Sequence, residues 1–234
     1  MSRADLSLQN LIGKSYQLFN LRPFTCCSMW IVYAMLQNDG TRGSRKADIE
    51  ALPEINPEFA DVDPEFLATI AMISTVWMTI GVFLGPALKG GYQHTALRML
   101  RGDNNVGLVT VLSGFDKYIK LLAASLIYTF LFVLGIFLLV VPGIIVSLGL
   151  WPVFLIIMEK NCSLSEAFKE SWLLTTGYKM QMFVYGICAA IMYLLGLLLC
   201  CVGVLFTGPI ADMGFVVAYD ELRKAQAKNK IDLS

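Results

Sequence analysis

Between Lys120 and Glu159 the chain runs 38 residues without a charged side chain, and Pro142-Gly143 falls close to the middle of that run. One membrane crossing takes about 20 apolar residues, so the run predicts two spans folded back on a tight turn. Proline fixes one dihedral and glycine admits conformations closed to other residues, so the pair can end one helix and open the next. A second charge-free run, Met180 to Ala211, repeats the plan with Gly203 near its break. The pattern predicts six spans, at 20–38, 66–87, 120–141, 143–159, 179–201 and 203–221. In the first, only Pro23 to Asn38 is free of charge, so Arg22 must extend its guanidinium to the headgroups. The fold class this predicts is an all-α, polytopic transmembrane helical bundle forming a single domain over 1–234.

A different periodicity marks the segments between spans. Leu8, Leu11, Ile12, Tyr16 and Phe19 repeat at helical spacing, and 156 residues later Leu164, Ala167, Phe168 and Trp172 do the same. Polar positions match in that register: Ser7 with Ser163, and Ser15 with Ser171. Apolar residues at this spacing line one helix face, and Ser163 with Glu166 makes a capping box. Both segments carry charge on the other face, which predicts interfacial helices at 1–19 and 161–178. A shorter relative, Leu108 to Phe115, precedes the third span. Gly85-Pro86 and Gly91 in the second span recur as Gly208-Pro209 and Gly214 in the sixth, and Pro152 holds the comparable place in the fourth. The predicted unit is therefore an interfacial helix, a span, an outer turn and a proline-broken span, used three times. Gly85, Pro86, Gly91, Gly208, Pro209, Gly214, Pro142 and Gly143 are its hinge residues. Repeats of this kind often frame a central site.

Composition strengthens the membrane reading. Apolar residues make up 56% of the chain and charged residues 15%, against roughly 25% charged in soluble domains. A formal net charge of zero argues against a nucleic-acid partner. The placement of Lys and Arg says more than their sum. Arg3, Lys14 and Arg22, then Lys89, Arg98, Arg101, Lys117 and Lys120, then Arg223, Lys224, Lys228 and Lys230 fall on one side of a six-span fold. By the positive-inside rule that side is the cytoplasm, so both termini are expected there. A polar strap over 39–65, rich in Asp and Glu, then faces outward, and Asp63-Pro64-Glu65 predicts the start of the second span. The tail at 222–234 is expected in the cytoplasm. No cleavable leader is expected, because Asp5, Lys14 and Arg22 interrupt any early apolar core.

Candidate chemistry is sparse. The cysteines include the adjacent pairs Cys26-Cys27 and Cys200-Cys201, without metal or redox spacing, and read as small hydrophobes. One histidine, His94, cannot build a metal site and reads as a solvated polar residue. No metal and no cofactor are expected. Trp30, Trp77, Trp151 and Trp172 suit either interfacial belts or internal packing. The sharpest site is a pair of charges, Asp212 and Lys89, each three residues beyond the proline of a repeated Gly-Pro. Asp212 lies about 14 Å of helix beyond Gly203, near mid-membrane, where a carboxylate must be paired, protonated or facing enclosed water. Lys89 is its expected partner.

Pro142-Gly143-Ile144-Ile145, the apolar run that follows, and Ser165 to Trp172 with Thr176-Gly177 together resemble a widespread group of bacterial membrane proteins. The group includes the YciC-like proteins and the membrane domain attached to some glycerophosphoryl diester phosphodiesterases. The resemblance covers most of 100–225. It implies an integral helical domain of the bacterial inner membrane; the phosphodiesterase activity belongs to a soluble barrel and does not transfer. The leading functional expectation is a non-enzymatic assembly, accessory or envelope-homeostasis component, in contact with membrane lipids and with a membrane protein complex or another copy of itself. The alternative is a small transporter or channel with a site near Asp212. A lipid enzyme would have to use Asp220-Glu221 with His94, the only acid–base grouping on offer.

Overall fold

The structure, a computed structural model, describes residues 4–36, 64–103, 105–138, 140–198 and 203–231; they are helical, with no strand among them. In chain order the helices are α1 (Leu8–Leu21), α2 (Pro23–Leu36), α3 (Pro64–Leu100), α4 (Leu108–Val111), a 3-10 turn (Leu112–Lys117), α5 (Tyr118–Leu138), α6 (Val140–Leu150), α7 (Val153–Lys160), α8 (Leu164–Thr175), α9 (Lys179–Leu198) and α10 (Val204–Ile231). Three helical segments among the described residues are long and apolar enough to cross a membrane: Leu108–Leu138, Val141–Lys160 and Lys179–Leu198. The other predicted spans fall on α2, α3 and α10. As described, α2 has 14 residues, about 21 Å at 1.5 Å per residue, less than a roughly 30 Å hydrocarbon core. Along α10, Asp212, Asp220 and Glu221 dilute the apolar stretch. Most of the predicted acidic strap, 37–63, lies outside the described residues, as do Cys200 and Cys201.

Helix boundaries follow local chemistry. Pro23 and Pro64 occupy first helical positions, where a missing N–H costs nothing. Ser7 and Ser163 cap α1 and α8, and the Ser163–Glu166 capping box is formed. Asn161, with φ 51°, closes α7, and Gly177, with φ 87°, closes the turn after α8; both are left-handed conformations that Gly and Asn tolerate best. The predicted turn at Pro142-Gly143 is displaced. Both residues lie in the first turn of α6, a position proline accepts. Gly143 instead serves helix contact: a Cβ on Gly135 of α5 would stand 2.8 Å from its Cα. Of the three predicted proline breaks, only Pro152 separates two helices, α6 and α7. Helices α3 and α10 run through Pro86 and Pro209. Both also run on past their predicted ends, α10 because Leu222 to Lys230 is rich in strong helix formers.

The missing N–H of Pro209 should orphan the carbonyl of Leu205, four residues earlier. The Cys27 thiol donates to that carbonyl at 3.4 Å, which compensates the proline from the neighbouring helix α2. Cys27, read from sequence as a packing residue, thus has a polar task.

Helices α3 and α10 form the centre. Helix α10 packs against α1, α2, α3, α8 and α9, and α3 against α2, α5, α7 and the 3-10 turn. Their buried stretches include Ala87, Tyr92, Ala96 and Leu97 on α3 and Ala211, Met213, Val216, Val217 and Tyr219 on α10. Every residue of α7 from Val153 to Met158 is buried. Burial fades toward other helix ends: Phe66, Ile73, Trp77, Phe130, Phe137, Leu138, Leu195 and Leu198 are exposed. Contiguous apolar surface of this kind marks an interaction with lipid or with other proteins. Glycines permit the closest central approaches. A Cβ on Gly91 would collide with the Val111 carbonyl, and one on Gly114 with the Ala87 carbonyl.

Helices α1 and α8 share one pattern of burial. The buried residues of α1 are Leu11, Ser15, Leu18 and Phe19; those of α8 are Ala167, Ser171, Leu174 and Thr175. The two sets coincide position for position at the 156-residue offset. Neither helix floats free, since α1 packs on α10, and α8 on α6 and α7.

Candidate functional site

Five helices and one interhelical turn line a common cavity of about 160 Å³. Lys89, Tyr92 and Gln93 lie at i, i+3 and i+4 of α3, so they share a face. Asp212 and Phe215 stand three apart on α10. Trp151 comes from the turn before α7 and Phe154 from its first turn; Tyr33 (α2) and Tyr128 (α5) complete the wall. The structure therefore places both sequence-predicted charges, Lys89 and Asp212, at one cavity. The expected ion pair between them is not among the salt bridges of the described residues. Lys89 Nζ lies 5.2 Å from the centroid of the Phe154 ring, a cation–π distance. Asp212 Oδ2 accepts a 2.7 Å hydrogen bond from Trp30 Nε1.

The glycines of α10 explain how those partners fit. A Cβ on Gly208 would enter the Trp30 indole, and one on Gly214 would enter the Tyr185 hydroxyl. With both absent, Trp30 reaches Asp212, and Tyr185 donates at 2.8 Å to the Ala211 carbonyl. Gly143 and Gly91 make comparable room elsewhere, so four of the predicted hinge residues sit at close helix or turn contacts.

Three buried polar atoms of the cavity's lining residues have no hydrogen-bond partner among the described residues: Tyr92 Oη, Gln93 Oε1 and Trp151 Nε1. Tyr92 is 1% exposed. Buried polar groups are nearly always satisfied, and leaving one unmade costs about 1–3 kcal/mol. Three such atoms belong to residues that line the cavity together with Lys89 and Asp212. Aromatic rings frame it: Tyr33 stacks on Tyr92 at 4.9 Å, and Trp151 meets Phe215 at 5.6 Å. Sequence reading missed Trp30, Tyr92, Gln93 and Trp151. The i, i+3, i+4 spacing around Lys89 was the available signal.

At the end of the molecule where α1, α7, α8 and the ends of α3 and α10 meet, an ion network joins five segments. Arg101 donates to Glu159 at 2.7 Å and to Asp220 at 3.1 Å. Arg223 bonds Glu170 and the Tyr219 hydroxyl, which in turn donates to Glu159. Lys160 pairs with Glu170, Lys224 with Asp220, and Lys14 with Glu221. Burial pushes the Glu170 carboxyl up, but hydrogen bonds from Lys160 and Arg223 together outweigh it and hold the group below its ordinary range. The hydrogen bond to Asp220, helped by its charge, holds the Lys224 ammonium above its ordinary value. Asp220 and Glu221 are thus occupied by structural cations. His94 departs from the expected solvated state: it is half-buried, its Nδ1 is buried without a partner among the described residues, and burial lowers its pKa, with Arg98 and Lys117 adding to the effect. Its helix continues past Gly91 into packing against the 3-10 turn.

Lysines also close α7 from outside. Lys117 Nζ donates to the carbonyls of Ile157 and Met158 at 3.1 and 2.8 Å, and Lys120 Nζ to Asn161 Oδ1 at 3.1 Å. The Met158 carbonyl is among the last four of α7, which a helix leaves without an intrahelical partner, whereas the Ile157 carbonyl also accepts from the Asn161 N–H at 3.1 Å. No family model, curated protein or solved structure matches the chain.

Proposed function

We propose that the chain is a multi-pass, six-span protein of the bacterial inner membrane, related to the YciC-like group, that acts by binding a polar ligand in the cavity between α2, α3, α7 and α10. The observation that carries this reading is the pairing of two opposite charges with three partnerless buried polar atoms at one cavity wall. Membrane placement rests on the three apolar helices and the exposed apolar belts. Cytoplasmic termini are supported by the meeting of α1, the ends of α3 and α10, and α8 at one end of the molecule, rich in Lys and Arg. The cavity works without covalent chemistry, either as a passage for a small solute or as a seat for one.

A thermal-shift panel tests the reading. The purified chain in detergent is heated with small anions, amines, zwitterions and polyols. A solute present at about ten times its Kd stabilises a protein by about 1.4 kcal/mol, enough to raise the midpoint. At least one solute should do this for the wild type and fail for Lys89→Met. If no solute moves the midpoint, the cavity is a packing defect and the reading fails.

An assembly or accessory role in a membrane complex is the second reading. The exposed apolar faces of α5 and α9 favour it, since a partner's helices would cover them as well as lipid does. A stable partner copurifying from native membranes, and lost when Phe130 and Leu195 are changed to serine, would support it.

A further inference from the structure

We infer that the cavity takes an oxyanion of single negative charge that carries a hydroxyl, with the anionic oxygens at Lys89, Trp151 and Tyr92 and the hydroxyl at Gln93. This rests on the reading of the cavity as a ligand site. Among the described residues that line the cavity, Lys89 is the one cation. Its ammonium makes no hydrogen bond and no ion pair with any other described residue. Its contact is the ring face of Phe154, 5.2 Å from the centroid. A ring face attracts the charge but accepts no conventional hydrogen bond, so the ammonium keeps donors to give. One cation in the wall matches one negative charge in the guest.

The neutral groups sort by hydrogen-bond sense. Trp151 Nε1 can only donate, and a tyrosine hydroxyl facing an anion donates as well. Both atoms are buried without a partner among the described residues, and Tyr92 is 1% exposed. Two neutral donors beside an ammonium suit the oxygens of a carboxylate or phosphodiester, because hydrogen bonds to a charged acceptor are the stronger class. An ammonium guest would be repelled by Lys89 and would leave Trp151 unanswered. Gln93 Oε1 accepts, so it asks the guest for one donor, and a hydroxyl supplies that donor without adding charge. Asp212, the acid of the wall, already accepts from Trp30 Nε1 at 2.7 Å and takes no part in the grip. The volume of about 160 Å³ would hold about five waters at roughly 30 Å³ each. That leaves room for a compact hydroxy acid, or for the phosphodiester headgroup of phosphatidylglycerol. The two sources offer the same chemistry.

Calorimetric titration of the full chain in phosphatidylcholine nanodiscs tests the inference, with glycolate, acetate, ethylene glycol and methylammonium as probes. Glycolate should bind about fivefold more tightly than acetate, the net effect of one hydrogen bond, and more tightly still than the other two. Lys89→Met should weaken glycolate by about tenfold or more. Tyr92→Phe should weaken it too, yet leave the unliganded unfolding midpoint unchanged or higher, since it removes a buried hydroxyl that lacks a partner. Gln93→Leu should erase the advantage of glycolate over acetate. In a second arm, native mass spectrometry after exchange into phosphatidylglycerol-containing discs counts retained lipid. Phosphatidylglycerol retained by the wild type but lost in Lys89→Met, with glycolate silent, supports the same chemistry and identifies the headgroup as its source. Acetate, ethylene glycol or methylammonium binding as tightly as glycolate would overturn the hydroxylated oxyanion and leave the ligand site standing. A folded protein that binds no probe and retains no phosphatidylglycerol would overturn both.

Discussion

Single residues carry structural tasks here that their types alone do not announce. Cys27 donates to the Leu205 carbonyl that Pro209 leaves open. Cys27→Ala should therefore destabilise the fold by about 0.5–1.5 kcal/mol, the net value of a typical hydrogen bond. Cys27→Ser should recover much of that loss. Unfolding midpoints of the two variants in the same detergent check it; equal loss in both would mean that the thiol only packs. Glycine acts by absence at Gly214, where any Cβ would overlap the Tyr185 hydroxyl. Gly214→Ala should cost about 1–3 kcal/mol through overpacking. The double change Gly214→Ala with Tyr185→Phe should recover little of the loss, because the ring carbon Cζ that remains would still stand 2.2 Å from the new Cβ. The sequence marked Gly214 as a repeated position but could not say what it faced. That depends on which helix arrives opposite, a tertiary fact. For the same reason Lys89 and Asp212 were legible as a pair of charges, while Trp30, the group that bonds Asp212, was not.

At the scale of elements, periodicity was the most readable signal. The shared apolar spacing of 1–19 and 161–178 became α1 and α8, and their buried faces agree position for position. Capping chemistry placed Ser163 and Glu166 correctly because it is local to four residues. Prolines were less readable. A helix can run through one if another group satisfies the freed carbonyl, as Cys27 does, so Pro86 and Pro209 sit inside helices while Pro152 separates two. Helix α8 also gives the fold an acid-sensitive joint. Glu170 titrates lower in the folded protein than in the unfolded chain, so its contribution is complete above the unfolded value and disappears as pH falls through the folded one. Stability should fall as pH drops below about 4.3, the ordinary glutamate value. Glu170→Gln should be less stable at pH 7 and flatter across that acid window. Parallel profiles for the two proteins would show that the Lys160–Glu170–Arg223 contacts contribute nothing.

Across the whole molecule, the all-helical character and the apolar surface follow directly from composition. The meeting of five segments in one ion network did not, because it requires knowing which loop ends converge. That convergence supports placing α1, α8 and the end of α10 on one side of the membrane. Single cysteines at 51, 109 and 227, in a background with Cys27 replaced by serine and the other cysteines by alanine, should divide cleanly. Only position 51 should react with an impermeant reagent added outside. Reaction at 227 from outside would reverse the proposed orientation. The central claim concerns the cavity, and Gln93→Cys in the same background tests it most directly. In native membranes opened to both sides, a small water-soluble thiol reagent should modify that cysteine. No modification at 93, while an exposed control at Ser165→Cys reacts fully, would contradict a cavity open to polar ligands.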